Sequence, residues 1–368
     1  MRRVFVLLIA GGAAAAAMPK LEPTSSAEFC GSCHRTIQEA WKTSAHANAM
    51  TSRLFQDALD MVESDYGASA RRQCLACHSP LGVQLGDFSL KEKVSWEGVT
   101  CDYCHSMRSV SFDGPNPRAT LDFSLTKSGP LKEVSSPAHG VVFSEVHTTS
   151  QVCAPCHEYK NKHGLQVLST FTEWKESRYA KDDVQCQTCH MGKVSGDVVD
   201  PRVQRSGSEV NLHEMPGSHS LAQLNKAVRM RLVMKRTAKQ LNISVVLANA
   251  GAGHYVPTGS PMRKLILDVR ADAYRGADLE QRREYYRTVT DASGQPVEME
   301  HGAFARGATV SNDTRLAPGE ERTETFTLPV EQGVPVQVKA TLTYYYSPMA
   351  RSESQEQVVF YNISRLVP

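Results

Sequence analysis

Cys30-Gly-Ser-Cys33-His34 is the first of five stretches in which two cysteines, separated by two residues, are followed at once by histidine. The other four are Cys74-Leu-Ala-Cys77-His78, Cys101-Asp-Tyr-Cys104-His105, Cys153-Ala-Pro-Cys156-His157 and Cys186-Gln-Thr-Cys189-His190. We number them motifs 1 to 5 in chain order. They use all ten cysteines of the 368-residue chain, so no cysteine is left for another role.

This spacing suits the attachment of c-type haem. Two thiols about one helical turn apart can reach the two vinyl groups of one porphyrin and form thioether bonds. The imidazole of the next residue then lies under the iron as its proximal ligand. The sequence therefore predicts five covalently attached haem c groups, with the ten cysteines as attachment points and with these iron ligands: His34, His78, His105, His157 and His190.

Three other uses of paired cysteines explain the pattern less well. Zinc sites need four ligands per metal and no histidine fixed after each pair. Disulfides suit an exported chain but do not account for five adjacent histidines. Thioredoxin-type redox motifs occur once per domain rather than five times.

Each iron also has a sixth position, which histidine or methionine can fill or which can stay open to substrate. Eight histidines lie outside the motifs, enough for five distal ligands. His46 follows His34 by twelve residues, which is about 18 Å along one helix, so we expect it to serve a different haem. His147, just before motif 4, is expected to do the same. The candidate distal ligands are His46, His139, His147, His213, His219 and His254.

The segment around motif 1 resembles the multihaem cytochrome c family typified by the tetrahaem cytochrome of nitrifying bacteria. The resemblance rests on Phe29 and motif 1, on Trp41 and on Ser44-Ala-His46-Ala47, and it extends more loosely over residues 28–220. It implies stacked haems and mostly bis-histidine irons, with His46, His139 and His147 as distal ligands. Five motifs and a long C-terminal extension depart from the type member.

The pentahaem nitrite reductases offer a second comparison. Their catalytic haem has lysine in place of the motif histidine, whereas all five motifs here end in histidine. The sequence therefore argues against that chemistry.

The C-terminal region has the alternating pattern of antiparallel strands, for example in Leu241-Asn-Ile-Ser-Val-Val-Leu247 and Val336-Gln-Val-Lys-Ala-Thr-Leu342. At least five such runs predict a β-sandwich. A helix over Ser220–Met230 is predicted at the boundary. Between two runs, Gly251-Ala-Gly-His-Tyr-Val-Pro-Thr-Gly259 reads either as a plain turn or as a rigid loop that presents His254 to a haem.

The predicted fold class is α+β, with a haem-packed, mainly helical or irregular domain followed by an antiparallel β-sandwich. Arg2, Arg3 and the apolar residues after them predict a cleaved signal peptide. The expected divisions are a signal peptide at 1–18, a pentahaem domain at 19–228 and the sandwich at 229–368. Export places the mature protein in the periplasm or outside the cell.

The leading functional hypothesis is an exported cytochrome that carries electrons between redox proteins, with a membrane quinol-oxidising complex or a terminal reductase as candidate partners. A net charge of +2 argues against nucleic-acid binding. Two alternatives stay open. One is an enzyme with one open haem that acts on a small nitrogen or sulfur compound. The other is a self-associating subunit of an extracellular cytochrome filament.

Overall fold

The computed structural model describes residues 24–202, 209–348 and 357–368. The predicted signal peptide at residues 1–18 lies outside these ranges. Within them, no helix combines the length and the apolar character needed to cross a membrane.

The haem-motif half consists of short helices joined by turns. Its α-helices are α1 (Ala27–Gly31), α2 (Arg35–Lys42), α3 (Arg53–Tyr66), α4 (Ala68–His78), α5 (Pro80–Gln84), α6 (Cys101–His105), α7 (Ala154–His157), α8 (Thr170–Glu176), α9 (Arg178–Lys181), α10 (Cys186–His190) and α11 (Leu221–Ala227). Three 3-10 helices lie at Lys93–Trp96, Glu145–Thr148 and Ser150–Cys153. Hydroxyl side chains begin several of them: Ser26 caps α1, Thr100 caps α6 and Ser220 caps α11.

Small strand pairs connect these helices. The strands are β1 (Met107–Ser111), β2 (Arg118–Leu121), β3 (Thr126–Gly129), β4 (Gly140–Phe143), β5 (Tyr159–Lys160), β6 (Gln166–Leu168), β7 (Lys193–Ser195) and β8 (Glu209–Asn211). They form four two-stranded pairs in the described residues, and β3 with β4 is the parallel one. Such short pairs bury little surface of their own, so the order of this half depends on what packs between its helices.

The C-terminal half is a two-sheet sandwich. Its strands are β9 (Val228–Arg236), β10 (Gln240–Asn249), β11 (Lys264–Ala273), β12 (Leu279–Tyr285), β13 (Arg287–Asp291), β14 (Gly307–Asp313), β15 (Glu321–Pro329), β16 (Val336–Tyr345) and β17 (Gln357–Val367). One sheet has the order β15-β10-β9 and the other β12-β11-β16-β17, all antiparallel. The strand β13 pairs with β14 alongside a further helix, α12 (Glu300–Arg306).

One apolar core joins the two sheets. Ile243 in β10 pairs with Met234 and Phe326 on its two sides, and its side chain is fully buried. Leu267 in β11, also fully buried, pairs with Leu342 in β16. Both belong to a single cluster of buried side chains that spans the sheets. The predicted α+β class, with its antiparallel sandwich, is therefore confirmed.

The predicted helix at Ser220–Met230 is shorter than expected. It ends at Ala227, and Val228 already has the extended backbone of β9. Val228 pairs with Asn249 in the ladder between β9 and β10. A β-branched residue with a strand partner gains more from the ladder than from one further helical turn, which the local apolar spacing did not reveal.

The sandwich packs directly on the haem-motif half. The buried Arg287 donates from Nη2 to the Val167 carbonyl at 2.7 Å. Asn161 donates from Nδ2 to the Gly307 carbonyl at 2.7 Å. Val167 and Val289 share a buried apolar cluster beneath these bonds. The two halves therefore meet through buried polar and apolar contacts.

Candidate haem-binding site

Each motif lies on or beside a short helix, and motifs 2, 3 and 5 each lie within one helix. Motif 3 forms α6 by itself, motif 5 forms α10, and motif 2 is the last turn of α4. Residues three apart in a helix lie on the same face, which is the placement that two thioether bonds to one porphyrin require. All ten cysteines fall within the described residues, where no disulfide joins any two of them.

Backbone carbonyls orient four of the five motif histidines. In each case the ring nitrogen Nδ1 must donate, because a carbonyl can only accept. The bonds run from His34 to Val198 (2.7 Å), from His78 to Ala49 (3.1 Å), from His105 to Ser128 (2.6 Å) and from His190 to Pro216 (2.7 Å). A ring held in this way keeps Nε2 unprotonated and available to a metal.

Four motif histidines face a second imidazole from elsewhere in the chain. The pairs and the distances between their ring centroids are His34 with His139 (6.1 Å), His157 with His46 (6.1 Å), His105 with His213 (6.4 Å) and His190 with His254 (6.4 Å). An imidazole nitrogen binds a transition metal at about 2.0–2.1 Å, and the centroid of its ring lies about 1.1 Å beyond that nitrogen. Two imidazoles that bound one metal from opposite sides would therefore have centroids about 6.3 Å apart. These residues therefore fit an iron with two axial histidines.

The facing imidazoles are oriented in the same way as the motif histidines, with one exception. Three donate from Nδ1 to a carbonyl: His139 to Gly140 (2.8 Å), His213 to Asn211 (2.7 Å) and His254 to Tyr255 (2.8 Å). His46 instead has its Nδ1 2.9 Å from the Met215 sulfur. His46, which faces the histidine of motif 4 rather than that of motif 1, is thus held by a thioether sulfur instead of a carbonyl oxygen.

Motif 2 has a different environment. The ring against His78 is Phe55 of α3, parallel to the imidazole within 3° and 3.7 Å away between centroids. His78 is absent from the facing imidazole pairs found in the described parts of the chain. Phe55 carries no atom that could bind a metal, so it restrains the His78 ring without competing for iron.

Two further candidate ligands have other contacts. His147 lies 5.5 Å from His105 between centroids, but its Nε2 is 2.9 Å from the Cys104 carbonyl and its Nδ1 is 3.0 Å from Ser144 Oγ. The ring of His219 stacks on Tyr346, with 4.2 Å between centroids. The structure thus places His147 beside the motif 3 pair and His219 against the sandwich.

Burial keeps the ring nitrogens in the form that binds metal. It lowers the pKa of His78 and His213 to about 4 and that of His157 to about 3. Free histidine titrates near 6.5, so these rings are neutral at pH 7. Only neutral imidazole offers a lone pair to a metal ion.

The loop at residues 251–259 carries His254 and belongs to the sandwich half. The Asn249 side chain donates to the His254 carbonyl at 2.9 Å. A side chain at Gly251 would place its Cβ 2.1 Å from the Lys226 carbonyl oxygen, so only glycine fits there. Gly253 packs against Tyr179, where an added Cβ would meet ring atoms at 3.2 Å. The loop is thus fixed in place by close backbone packing.

A buried ion pair ties this loop to the haem-motif half. Glu173 of α8 accepts from the Tyr255 amide at 3.1 Å and from Thr258 Oγ1 at 2.7 Å through one carboxylate oxygen. Its other oxygen lies 2.7 Å from Arg315 Nη1, and both side chains are at most 6% exposed. Burial raises the pKa of Glu173, but Arg315 and the hydroxyls of Ser169 and Thr258 together outweigh it; the net pKa is lowered and the carboxylate stays ionised.

Cysteines of different motifs lie close together. The thiols of Cys30 and Cys101, of Cys77 and Cys156, and of Cys153 and Cys186 are near enough for each to shift the pKa of the other. Cys104 lies within electrostatic range of both motif 4 cysteines. Motif 4 therefore has three neighbours, namely motifs 2, 3 and 5, and motif 1 joins this group through motif 3.

Five such motifs on short helices, with four facing imidazole pairs, are the arrangement typical of multihaem c-type cytochromes. Residues 29–106 match the family described as cytochrome c554 and c-prime. Over 142 residues the chain is 26% identical to cytochrome c-554 of Nitrosomonas europaea, a match that covers 37% of this chain and 57% of that relative. The chain therefore spans little more than half the length of this curated relative. The resemblance stated from the motif 1 segment is confirmed.

The fold of the whole chain also has a solved counterpart. It is similar to the penta-heme cytochrome c552 from Thermochromatium tepidum, with a TM-score of 0.75 and 21% identity, over 94% of this chain and 99% of that one. At this identity the likeness shows the fold alone. It extends over both the haem-motif half and the sandwich.

Proposed function

We propose that this chain is an electron-transfer cytochrome that holds five haem c groups, one at each motif. We number these groups haems 1 to 5 after their motifs. The observation that carries the proposal is the set of four facing imidazole pairs, with centroids 6.1–6.4 Å apart. Two axial histidines leave an iron no free position, which suits outer-sphere electron transfer. Haem c supplies the one-electron chemistry when it is bound.

The axial pairs assigned by this proposal are those listed above, from His34–His139 to His190–His254. For haem 3 we assign His213 rather than His147. The spacing of 6.4 Å fits a shared metal better than 5.5 Å does, and the His213 Nδ1 bond leaves its Nε2 for the iron. His147 engages both ring nitrogens with protein atoms and so acts as packing beside haem 3.

The chain arranges these sites as a branched path. Contacts between motif cysteines link site 1 to site 3, and site 4 to sites 2, 3 and 5. Porphyrins attached at these cysteines would lie close to one another, which rapid transfer requires. Redox proteins are the partners expected at the ends of this path, on the periplasmic or extracellular side.

Spectroscopy and ligand variants test the assignment. Mass analysis and pyridine haemochrome absorbance should give five haems per chain. Replacing His139 or His254 with alanine should convert one haem from low to high spin in each case, whereas His163→Ala, at a histidine outside the assigned pairs, should convert none. A low-spin count unchanged by both substitutions would contradict the pairing.

One observation favours a second role at motif 2. Among the described residues, no imidazole faces His78 at the 6.1–6.4 Å spacing found for the other four motif histidines. We propose that haem 2 has an open sixth position, where a small nitrogen or sulfur compound could bind. The reduced wild-type protein should then bind carbon monoxide at one haem in five, and turnover with nitrite, hydroxylamine or sulfite should require that haem. No carbon monoxide binding would rule this role out and leave the carrier role intact.

A further inference from the structure

Met215 occupies an unusual position among the candidate ligands. It lies between β8 and α11, and its sulfur is 2.9 Å from Nδ1 of His46. The three other facing imidazoles donate to carbonyl oxygens instead. Of the outer partners of the assigned distal ligands, Met215 alone is a thioether, within the part of the chain that the structure describes.

The backbone at Met215 supports a dedicated placement. Its φ is 46°, in the left-handed region that residues with a Cβ rarely adopt. The same short segment places His213 opposite His105 and aims the Pro216 carbonyl at His190 Nδ1. Strained backbone of this kind persists where the surroundings fix several groups at once. The segment thus touches the ligand sets of motifs 3, 4 and 5.

The chemical difference between sulfur and oxygen matters for the iron. A thioether is a weak hydrogen-bond acceptor, whereas a carbonyl is a strong one. Donation from Nδ1 to a strong acceptor makes imidazole a more basic ligand, and a more basic axial ligand stabilises the ferric state. His46 would therefore donate less electron density to a bound iron than His139, His213 or His254 would.

We propose that Met215 is a positioning residue that, through His46, raises the reduction potential of haem 4 above the value a carbonyl partner would give. This inference rests on the proposed assignment of His46 and His157 to haem 4. Because motif 4 neighbours motifs 2, 3 and 5, the effect would fall on the central branch point. An electron in the chain would then reside at that centre for a larger fraction of the time than it would with a carbonyl partner there.

Two substitutions in the full-length haem-loaded protein test the sign of the effect. Met215→Gln offers an amide oxygen to His46 and should shift the midpoint potential of one haem downward. Met215→Leu keeps the bulk but removes the acceptor, and should leave that potential unchanged or shift it upward. A purely structural role predicts shifts of the same sign in both variants, and this outcome would overturn the proposal. Met191→Gln, at the half-buried methionine after His190, is the matched control.

The affected haem can be identified independently. His46→Ala should convert one haem to high spin, and the low-spin signal it removes should be the signal that moves in the Met215 variants. If His46→Ala changes no haem, the axial assignment fails. If it converts one haem but both Met215 variants leave every potential unchanged, only the role of Met215 fails.

Discussion

Glu173→Gln is the substitution that best tests how the haem-motif half holds the loop of His254. The change keeps the shape of the side chain but removes the charge opposite Arg315, 2.7 Å away. It also places an NH2 group where the carboxylate accepted hydrogen bonds, from Ser169 and Arg315 on one oxygen and from the loop on the other. At least one donor is then left without its acceptor.

The expected cost follows from burial. Breaking a buried ion pair by removing one partner costs about 3–5 kcal/mol. Arg315 keeps its second carboxylate, with Nη2 2.8 Å from Asp313, so the lower end applies. We therefore expect a loss of about 3 kcal/mol in the free energy of unfolding, or of loop opening. Asp313→Asn is the matched control, and because its side chain is 31% exposed it should cost about 1 kcal/mol or less.

Two measurements separate a local effect from a global one. Chemical denaturation followed by the Soret band gives overall stability. Carbon monoxide binding to the reduced protein reports loss of the His254 ligand, and it should increase in Glu173→Gln but not in Asp313→Asn. Equal stability losses in the two variants, with no added carbon monoxide binding, would refute the view that Glu173 anchors this loop.

Three other expected outcomes concern the packing. Gly251→Ala forces a Cβ to within 2.1 Å of a carbonyl oxygen in α11 and should cost about 3 kcal/mol by denaturant titration, whereas Gly217→Ala, which meets nothing within 4 Å, should change stability little. Leu267→Ala, in the fully buried sandwich core, should cost about 3 kcal/mol; the 64% exposed Leu366→Ala should change stability by less than about 0.5 kcal/mol. Asn161→Ala leaves buried backbone groups between the two halves unpaired and should lower stability by about 2–3 kcal/mol in the same titration. Equal losses of stability in Gly251→Ala and Gly217→Ala, or in Leu267→Ala and Leu366→Ala, would contradict the first two expectations. An Asn161→Ala protein as stable as the wild type would contradict the third.

Local pattern was sufficient for much of the fold. The alternation in Leu241-Asn-Ile-Ser-Val places Leu241 and Ile243 in the buried core, because period-two spacing directly reflects the two faces of a strand. The rise of a helix predicts that His46 does not share an iron with His34, and in the structure the His46 ring lies opposite His157. Both inferences depend only on distances along the chain.

The remaining features depend on contacts between distant segments. Nothing near Met215 in the sequence marks it as the neighbour of His46, which lies 169 positions away. Phe55 and His78 meet because α3 packs on α4, and Glu173 meets Arg315 only when the two halves dock. One signal was present for Glu173: a carboxylate set between Phe171 and Trp174 must find a partner if that helix is buried. The sequence did not show which cation would supply it.

Two hydrogen bonds of motif 1 are made with residues that are synthesised after all five motifs, and this affects how haem 1 is enclosed during maturation. His34 donates to the Val198 carbonyl, and the Cys33 carbonyl accepts from the Asp200 amide at 2.7 Å. Both partners come after motif 5, so the first motif to be made is among the last to be enclosed. Until then its thiols stay within reach of the attachment machinery. An exported chain truncated before residue 198 would leave that porphyrin unshielded, and such truncated products should be the ones most readily bleached by peroxide.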